Sequence, residues 1–182
     1  EDKKMNGKQL KNSILQWAIQ GKLVPQDPND EPASVLLERI RAEKARLVKE
    51  KKIKKDKNES IIYRGEDNSY YEKFLATREV KCIDEEIPFE IPATWEWCRL
   101  LSIVSLLGDG IHGTPEYSEG GSVYFINGNN LFDGQILIKP DTKTVSKEEA
   151  VKHSRLLNES TVLVSINGTI GNIAFYSGEN VI

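Results

Sequence analysis

Residues 87–100 read IPFEIPATWEWCRL, and this stretch divides the chain. Trp95 and Trp97 alternate with Glu96 and Cys98, the two-residue period of a half-buried strand. Upstream lies a basic arm, LKNSILQWAIQGKLVPQDPNDEPASVLLERIRAEKARL from Leu10 to Leu47, continuing to about Lys57. Downstream lie short apolar runs punctuated by glycine. The division predicts an α+β protein in three parts: a helical region for partner docking over 1–60, a connector over 61–87, and a mixed strand and helix domain over 88–182.

In the arm, Leu10, Ile14, Trp17 and Ala18 recur at three- and four-residue steps, predicting a helix from about Gly7 to Gln20. Gly21 suits the residue after a helix end, and Pro25 bars continuation. A second helix is expected to open with Pro32 at its first position, near acidic Asp30 and Glu31. Its apolar residues Leu36, Leu37, Ile40, Leu47 and Val48 form a narrow stripe suited to pairing with another helix. Helical pattern fades between Lys54 and Ser60. Ile61 to Glu86, with Tyr70, Tyr71, Phe74 and Leu75, reads as a short helix or a packed loop. Beyond the division, Leu100 to Leu107 reads as a short helix or strand. Strands are expected at 122–127, 135–139, 161–166 and 172–176, with a helix at 146–157.

Composition narrows the class. The 182 residues are 38% hydrophobic and 29% charged, as expected of a soluble globular protein. No apolar run approaches the ~20 residues of a membrane span, and the N-terminal residues lack a signal-peptide pattern. A cytoplasmic location and no membrane partner are expected, and Cys82 and Cys98 read as reduced thiols. The net charge of −3 hides an asymmetry. Residues 38–57 carry ten Lys/Arg against four Asp/Glu, whereas residues 88–182 carry six against eleven. A basic block of this kind marks either nucleic-acid contact or a solvated helix face.

The motifs that suggest catalysis fail on context. Gly108, Gly110 and Gly113 match GxGxxG, with Asp133 twenty residues beyond. That fingerprint needs the glycines to open a helix facing the pyrophosphate, but Thr114-Pro115 follows at once. Asp141, Glu149 and Lys152 resemble a metal-dependent nuclease signature. There the last two side chains must alternate on one strand face, and here they fall within a predicted helix, on a face read as solvated. No Asn-Pro-Pro-aromatic tetrapeptide for adenine methylation occurs. His112 and His153 lack metal-ligand companions, and no nucleophile elbow is present. No catalytic residue, metal or cofactor is expected. What remains is polar loop chemistry at strand ends: His112, Thr114 and Tyr117; Asn127, Asn129 and Asn130; Ser165, Asn167 and Thr169. Asn suits bidentate contact with adenine, and Ser or Thr can serve several base edges. The same residues also build tight turns around Gly128, Gly168 and Gly171.

The arm, the KIKK of residues 52–55 and EIPFEIPATWEWCRL together resemble the specificity subunit of type I restriction–modification enzymes. GIHGTPEY (110–117), FINGNNLFDGQI (125–136) and LNESTVLVSINGTIGNIAF (157–175) follow in the order that family shows. The first block is long and specific; the glycine-bearing pieces are looser. The resemblance covers nearly the whole chain. It implies a non-catalytic DNA-reading subunit in which two target recognition domains each read half of a split site. Helical regions space them and dock modification methyltransferase subunits, and the assembly also holds restriction (translocase/endonuclease) subunits. Carried over, Lys8 to Lys57 corresponds to a helical region, with Leu36, Ile40 and Leu47 as its docking seam. Pro88 onward corresponds to the start of a recognition domain, reading double-stranded DNA through the loop residues above; the arm's N-terminal position suggests the first of the two, with the second left open. A complete member is considerably longer. The chain is therefore read as a fragment with an incomplete recognition domain, with Met5 as a candidate native start.

Overall fold

A computed structural model describes residues 6–182; Met5 lies outside them. The chain forms two compact units, Glu1–Gly108 and Asp109–Ile182. Among the described residues, no helix is long and apolar enough to cross a membrane. Helices and strands both occur, in keeping with the α+β expectation.

In the first unit, α1 spans Gly7–Ile19. Its start is a capping box: the Gln9 N–H donates to Asn6 Oδ1 and the Asn6 N–H to Gln9 Oε1, each at 2.9 Å. Its end is closed by Gly21 at φ 67°. There the Gly21 N–H reaches the Ala18 carbonyl at 3.0 Å and the Lys22 N–H the Trp17 carbonyl at 2.8 Å. Helix α2 spans Ala33–Lys49, with Pro32 as its cap at ψ 142° and not as its first helical residue. The orphan Ala33 N–H instead donates to the carbonyl of Thr94, at 2.8 Å. The helix ends several residues before the expected fade at Lys54.

Residues 61–86 depart from the expected helix or loop. They form an antiparallel sheet, β1 (Ser60–Arg64), β2 (Tyr70–Phe74) and β3 (Val80–Cys82), in that order. The two hairpin turns place Asn68 (φ 66°) and Arg78 (φ 61°) in the left-handed conformation; Gly65-Glu-Asp-Asn68-Ser is turn chemistry, whereas Arg78 gives no such signal. Tyr70, the first residue of β2, and Ile83, just past β3, are buried. Glu72, also buried, accepts from Ser60 Oγ at 2.5 Å and from Nε of Arg99 at 3.0 Å, with a second contact to Arg99 Nη2. Arg99 also reaches Glu86 at 2.8 Å.

The expected strand at Trp95–Cys98 does not form, because no neighbouring strand pairs with it. After a 3-10 turn at Asp84–Glu86, residues 87–99 instead run as an irregular strap held by long-range polar contacts. Trp95 Nε1 donates to Gln26 Oε1 at 2.8 Å, and Trp97 packs tilted on Phe89 with centroids 5.3 Å apart. The strap leads into α3 (Leu100–Ile103), whose Ser102 carbonyl lies 3.4 Å from Lys44 Nζ on α2. These contacts explain why residues 88–108 belong to the first unit, although the sequence places the boundary at 88. Cys82 and Cys98 are unbridged, and burial pushes the Cys98 thiol up.

The second unit is built from three two-stranded antiparallel pairs and one helix. Strand β4 (Val123–Tyr124) pairs with β7 (Thr144–Val145), β5 (Leu131–Phe132) with β6 (Gln135–Ile136), and β8 (Val162–Val164) with β9 (Ile173–Phe175). Helix α4 spans Lys147–His153. Strands β4, β6, β8 and β9 and helix α4 fall at the expected places but are shorter, and β5 and β7 are additional to them. Val123, Val145 and Ala150 form one apolar cluster with Phe125 and Ile182; Leu131, Ile136 and Ala174 form a second. Asp133 (φ 49°) and Gly134 (φ 78°) make the tight turn between β5 and β6.

Candidate nucleic-acid interface

The polar loops all lie in the second unit, and two of them are fastened together. Residues 128–130 form a single 3-10 turn capped by Asn127, whose side chain accepts from the Asn129 N–H at 2.9 Å. Residues 165–172 connect β8 to β9, with Gly168 (φ 69°) and Gly171 (φ 89°) supplying the reversals. Asn172 Nδ2 donates to the Gly128 carbonyl at 3.1 Å and joins the two loops. The approach is close: a Cβ on Gly128 would lie 2.9 Å from that of Ser165.

Two of the nine candidate residues turn inward. Asn130 is 5% exposed. Its Oδ1 accepts from the Asn127 N–H at 3.1 Å, and its Nδ2 donates to the Leu137 carbonyl at 2.9 Å and Thr142 Oγ1 at 3.2 Å. Ser165 is 7% exposed. Its hydroxyl donates to the Thr169 carbonyl and accepts from the Asn172 N–H at 2.9 Å. Both side chains brace the loops, as buried polar groups must find partners. Asn127, Asn129, Asn167 and Thr169 are exposed beside them. Lys139 Nζ holds the Asn129 carbonyl at 2.9 Å and leaves the Asn129 side chain outward.

The third loop is separately anchored. His112, Thr114 and Tyr117 are exposed, with Pro115 buried between them. Tyr117 packs tilted on Phe125, centroids 5.7 Å apart. The anchor is Glu149 on α4, whose Oε1 accepts from the Glu116 N–H at 3.0 Å and lies 3.1 Å from His153 Nε2, while Oε2 meets Lys152 Nζ at 2.7 Å. Lys152 and the Glu116 N–H hold this carboxyl down to about 2. Glu149 is 8% exposed, which corrects its reading as part of a solvated face. The signal for it was present: Ser146-Lys-Glu-Glu149 has capping-box spacing, and Ser146 Oγ does cap the Glu149 N–H at 3.1 Å. Asn172 and Lys139 had no comparable signature.

The nucleotide and nuclease readings find no geometry. Residues 108–113 form an irregular loop that opens no helix, and Asp133 sits in the β5–β6 turn. Among the described residues, no cluster of His, Cys, Asp or Glu is placed to hold a metal. On α2, Leu36 is 42% exposed, whereas Ile40 and Leu47 are half-buried, so the expected seam is only partly open. Leu10, Ile14 and Trp17 on α1 are all exposed and form a second apolar stripe.

No family model and no solved structure matches the chain. Two curated proteins of Escherichia coli do. The type I restriction enzyme EcoAI specificity subunit is 39% identical over 163 residues, covering 90% of this chain and 24% of the relative. The type I restriction enzyme EcoEI specificity subunit is 34% identical over 161 residues, covering 87% of this chain and 24% of the relative. The chain thus spans about a quarter of the length of the curated relatives it matches. By sequence, along about nine-tenths of its residues, the chain is similar to one part of type I restriction enzyme specificity subunits.

Proposed function

We propose that this chain contributes to sequence-specific DNA recognition in a type I restriction–modification complex, without catalysing a reaction itself. The observation that carries this reading is the fastening of the 127–130 loop to the 165–172 loop through Asn172, on a chain related to specificity subunits. Exposed polar side chains on braced loops meet the requirement for base-edge contact, in which phosphate contacts position and base contacts specify. In this proposal His112, Thr114, Tyr117, Asn127, Asn129, Asn167 and Thr169 face double-stranded DNA, while Asn130 and Ser165 hold the loops in shape. The helical region docks a modification methyltransferase subunit through Leu36 and the neighbouring apolar positions. The complex then directs methyltransferase and restriction subunits to a split site.

A second reading is an assembly module that docks the methyltransferase without reading DNA. The charge of the second unit favours it: five Lys/Arg stand against nine Asp/Glu over residues 109–182, a poor balance for gripping phosphate. Co-purification with the methyltransferase subunit, followed by methylation-site sequencing, separates the two. A discrete methylated sequence supports recognition. A stable complex without one supports the assembly module, and Leu36→Asp should then abolish the complex, with no DNA binding by either version. No complex at all would refute both.

A further inference from the structure

The segment KEKKIKKDK, residues 49–57, holds six lysines against two acids. Helix α2 ends at its first residue, and the chain turns sharply. Lys51 takes the left-handed conformation at φ 59°, and the Lys51 and Lys52 N–H groups close the helix on Val48 at 3.0 Å and Leu47 at 2.9 Å. That position favours glycine. Further on, Ile53 and Asp56 are half-buried, and Asp56 Oδ1 accepts from the Asn58 N–H at 2.8 Å. The segment is therefore a shaped turn, and all six lysines project from it exposed.

Their charges are largely uncompensated. Lys52 pairs with Glu50 at 2.8 Å, and Glu50 also holds Arg46 at 2.6 Å. Among the described residues, Lys49, Lys51, Lys54, Lys55 and Lys57 form no ion pair. The negative end of α2 accounts for Lys49 and its immediate neighbours, but that field fades within the last turn. It does not reach Lys54, Lys55 and Lys57. Like charges this close repel, and a polyanion relieves the repulsion. The segment contains no arginine fork and no aromatic ring. It therefore suits phosphate as an array of point charges and carries nothing to read a base.

We propose that residues 49–57 are a sequence-independent grip on the phosphate backbone of duplex DNA, distinct from the acidic unit that bears the candidate base-reading loops. The proposal rests on the DNA-binding reading of the family, yet its test does not require a recognition sequence. The full chain is titrated with a labelled duplex of arbitrary sequence between about 50 and 200 mM salt, because each phosphate contact adds about 0.9 to the slope of log affinity against log salt. The Lys54, Lys55 and Lys57→Gln triple variant lies beyond the helix cap, and unchanged amide exchange at Lys52 verifies its fold. It should flatten the slope by about 2–3 and weaken binding to every duplex alike. The corresponding Lys→Arg triple should retain the slope. An unaltered slope in the Gln variant would overturn the proposal, as would absence of duplex binding by the parent chain. Loss of methyltransferase binding with DNA binding intact would likewise overturn it and assign the segment to a protein partner. A flattened slope without site-specific methylation would leave the grip standing and remove the base-reading proposal instead.

Discussion

Replacing Asn130 and Asn129 in turn separates a residue that shapes the loop from one that the loop presents. Asn130→Ala deletes three hydrogen bonds, to the Asn127 N–H, the Leu137 carbonyl and Thr142 Oγ1. A neutral bond contributes about 1 kcal/mol net, and a stranded buried partner raises the loss. Thr142 keeps a second partner, the Lys139 N–H at 2.8 Å, which moderates the loss. The expected destabilisation is about 2–3 kcal/mol. Asn129→Ala removes an outward side chain and should stay within about 0.5 kcal/mol. Asn130→Asp should be no better than alanine, because a carboxylate would face the Leu137 carbonyl without a donor. The three tryptophans, at 17, 95 and 97, all lie in the first unit, so their fluorescence does not follow the second. Amide exchange at Leu137, whose N–H bonds the Asn130 carbonyl at 2.7 Å, is the suitable assay. A 2 kcal/mol loss accelerates exchange through unfolding by about 30-fold. Equal exchange in the two alanine variants would refute the bracing role. Altered sequence preference in Asn129→Ala with exchange unchanged would identify a contact with DNA.

Other perturbations test the same framework. The folded carboxyl of Glu149 lies at about 2 against an ordinary value of 4.5, so its stabilisation is complete above 4.5 and fades as pH falls toward 2. Protection of the Glu116 amide should fall over that window in the parent chain and become nearly independent of pH in Glu149→Gln; identical profiles would dismiss the anchor. Gly121→Ala would set a Cβ 2.3 Å from the Val145 carbonyl oxygen, forcing β4 and β7 apart at about 3 kcal/mol. A midpoint unchanged in thermal unfolding followed by tyrosine circular dichroism would contradict this. Arg99→Ala leaves Glu72, 3% exposed, with Ser60 as its remaining side-chain partner. Water reaches the 42% exposed arginine, so the cost should be about 2 kcal/mol, below that of a fully buried pair. It is read as a lower urea midpoint by tryptophan fluorescence, and no shift would mean that the strap is held by its other contacts.

The sequence alone determined the elements whose signals are local. Apolar spacing placed α1 and α2, Gly21 and Pro25 ended α1, and the short β-branched runs placed β4, β6, β8 and β9, because periodicity and turn chemistry act over a few residues. It also carried the resemblance to specificity subunits, through a long and specific block spanning the arm and the division. Tertiary structure decided what depends on distant partners. The hairpins of residues 60–82 turn on Asn68 and Arg78, and Arg78 gives no turn signal. The strap at 87–99 belongs to the first unit because Trp95 finds Gln26 and Thr94 finds Ala33. Asn129 and Asn130 are indistinguishable as letters, as are Glu148 and Glu149. One of each pair is buried and one exposed, because a polar side chain turns inward only where the folded chain brings matching donors and acceptors to meet it.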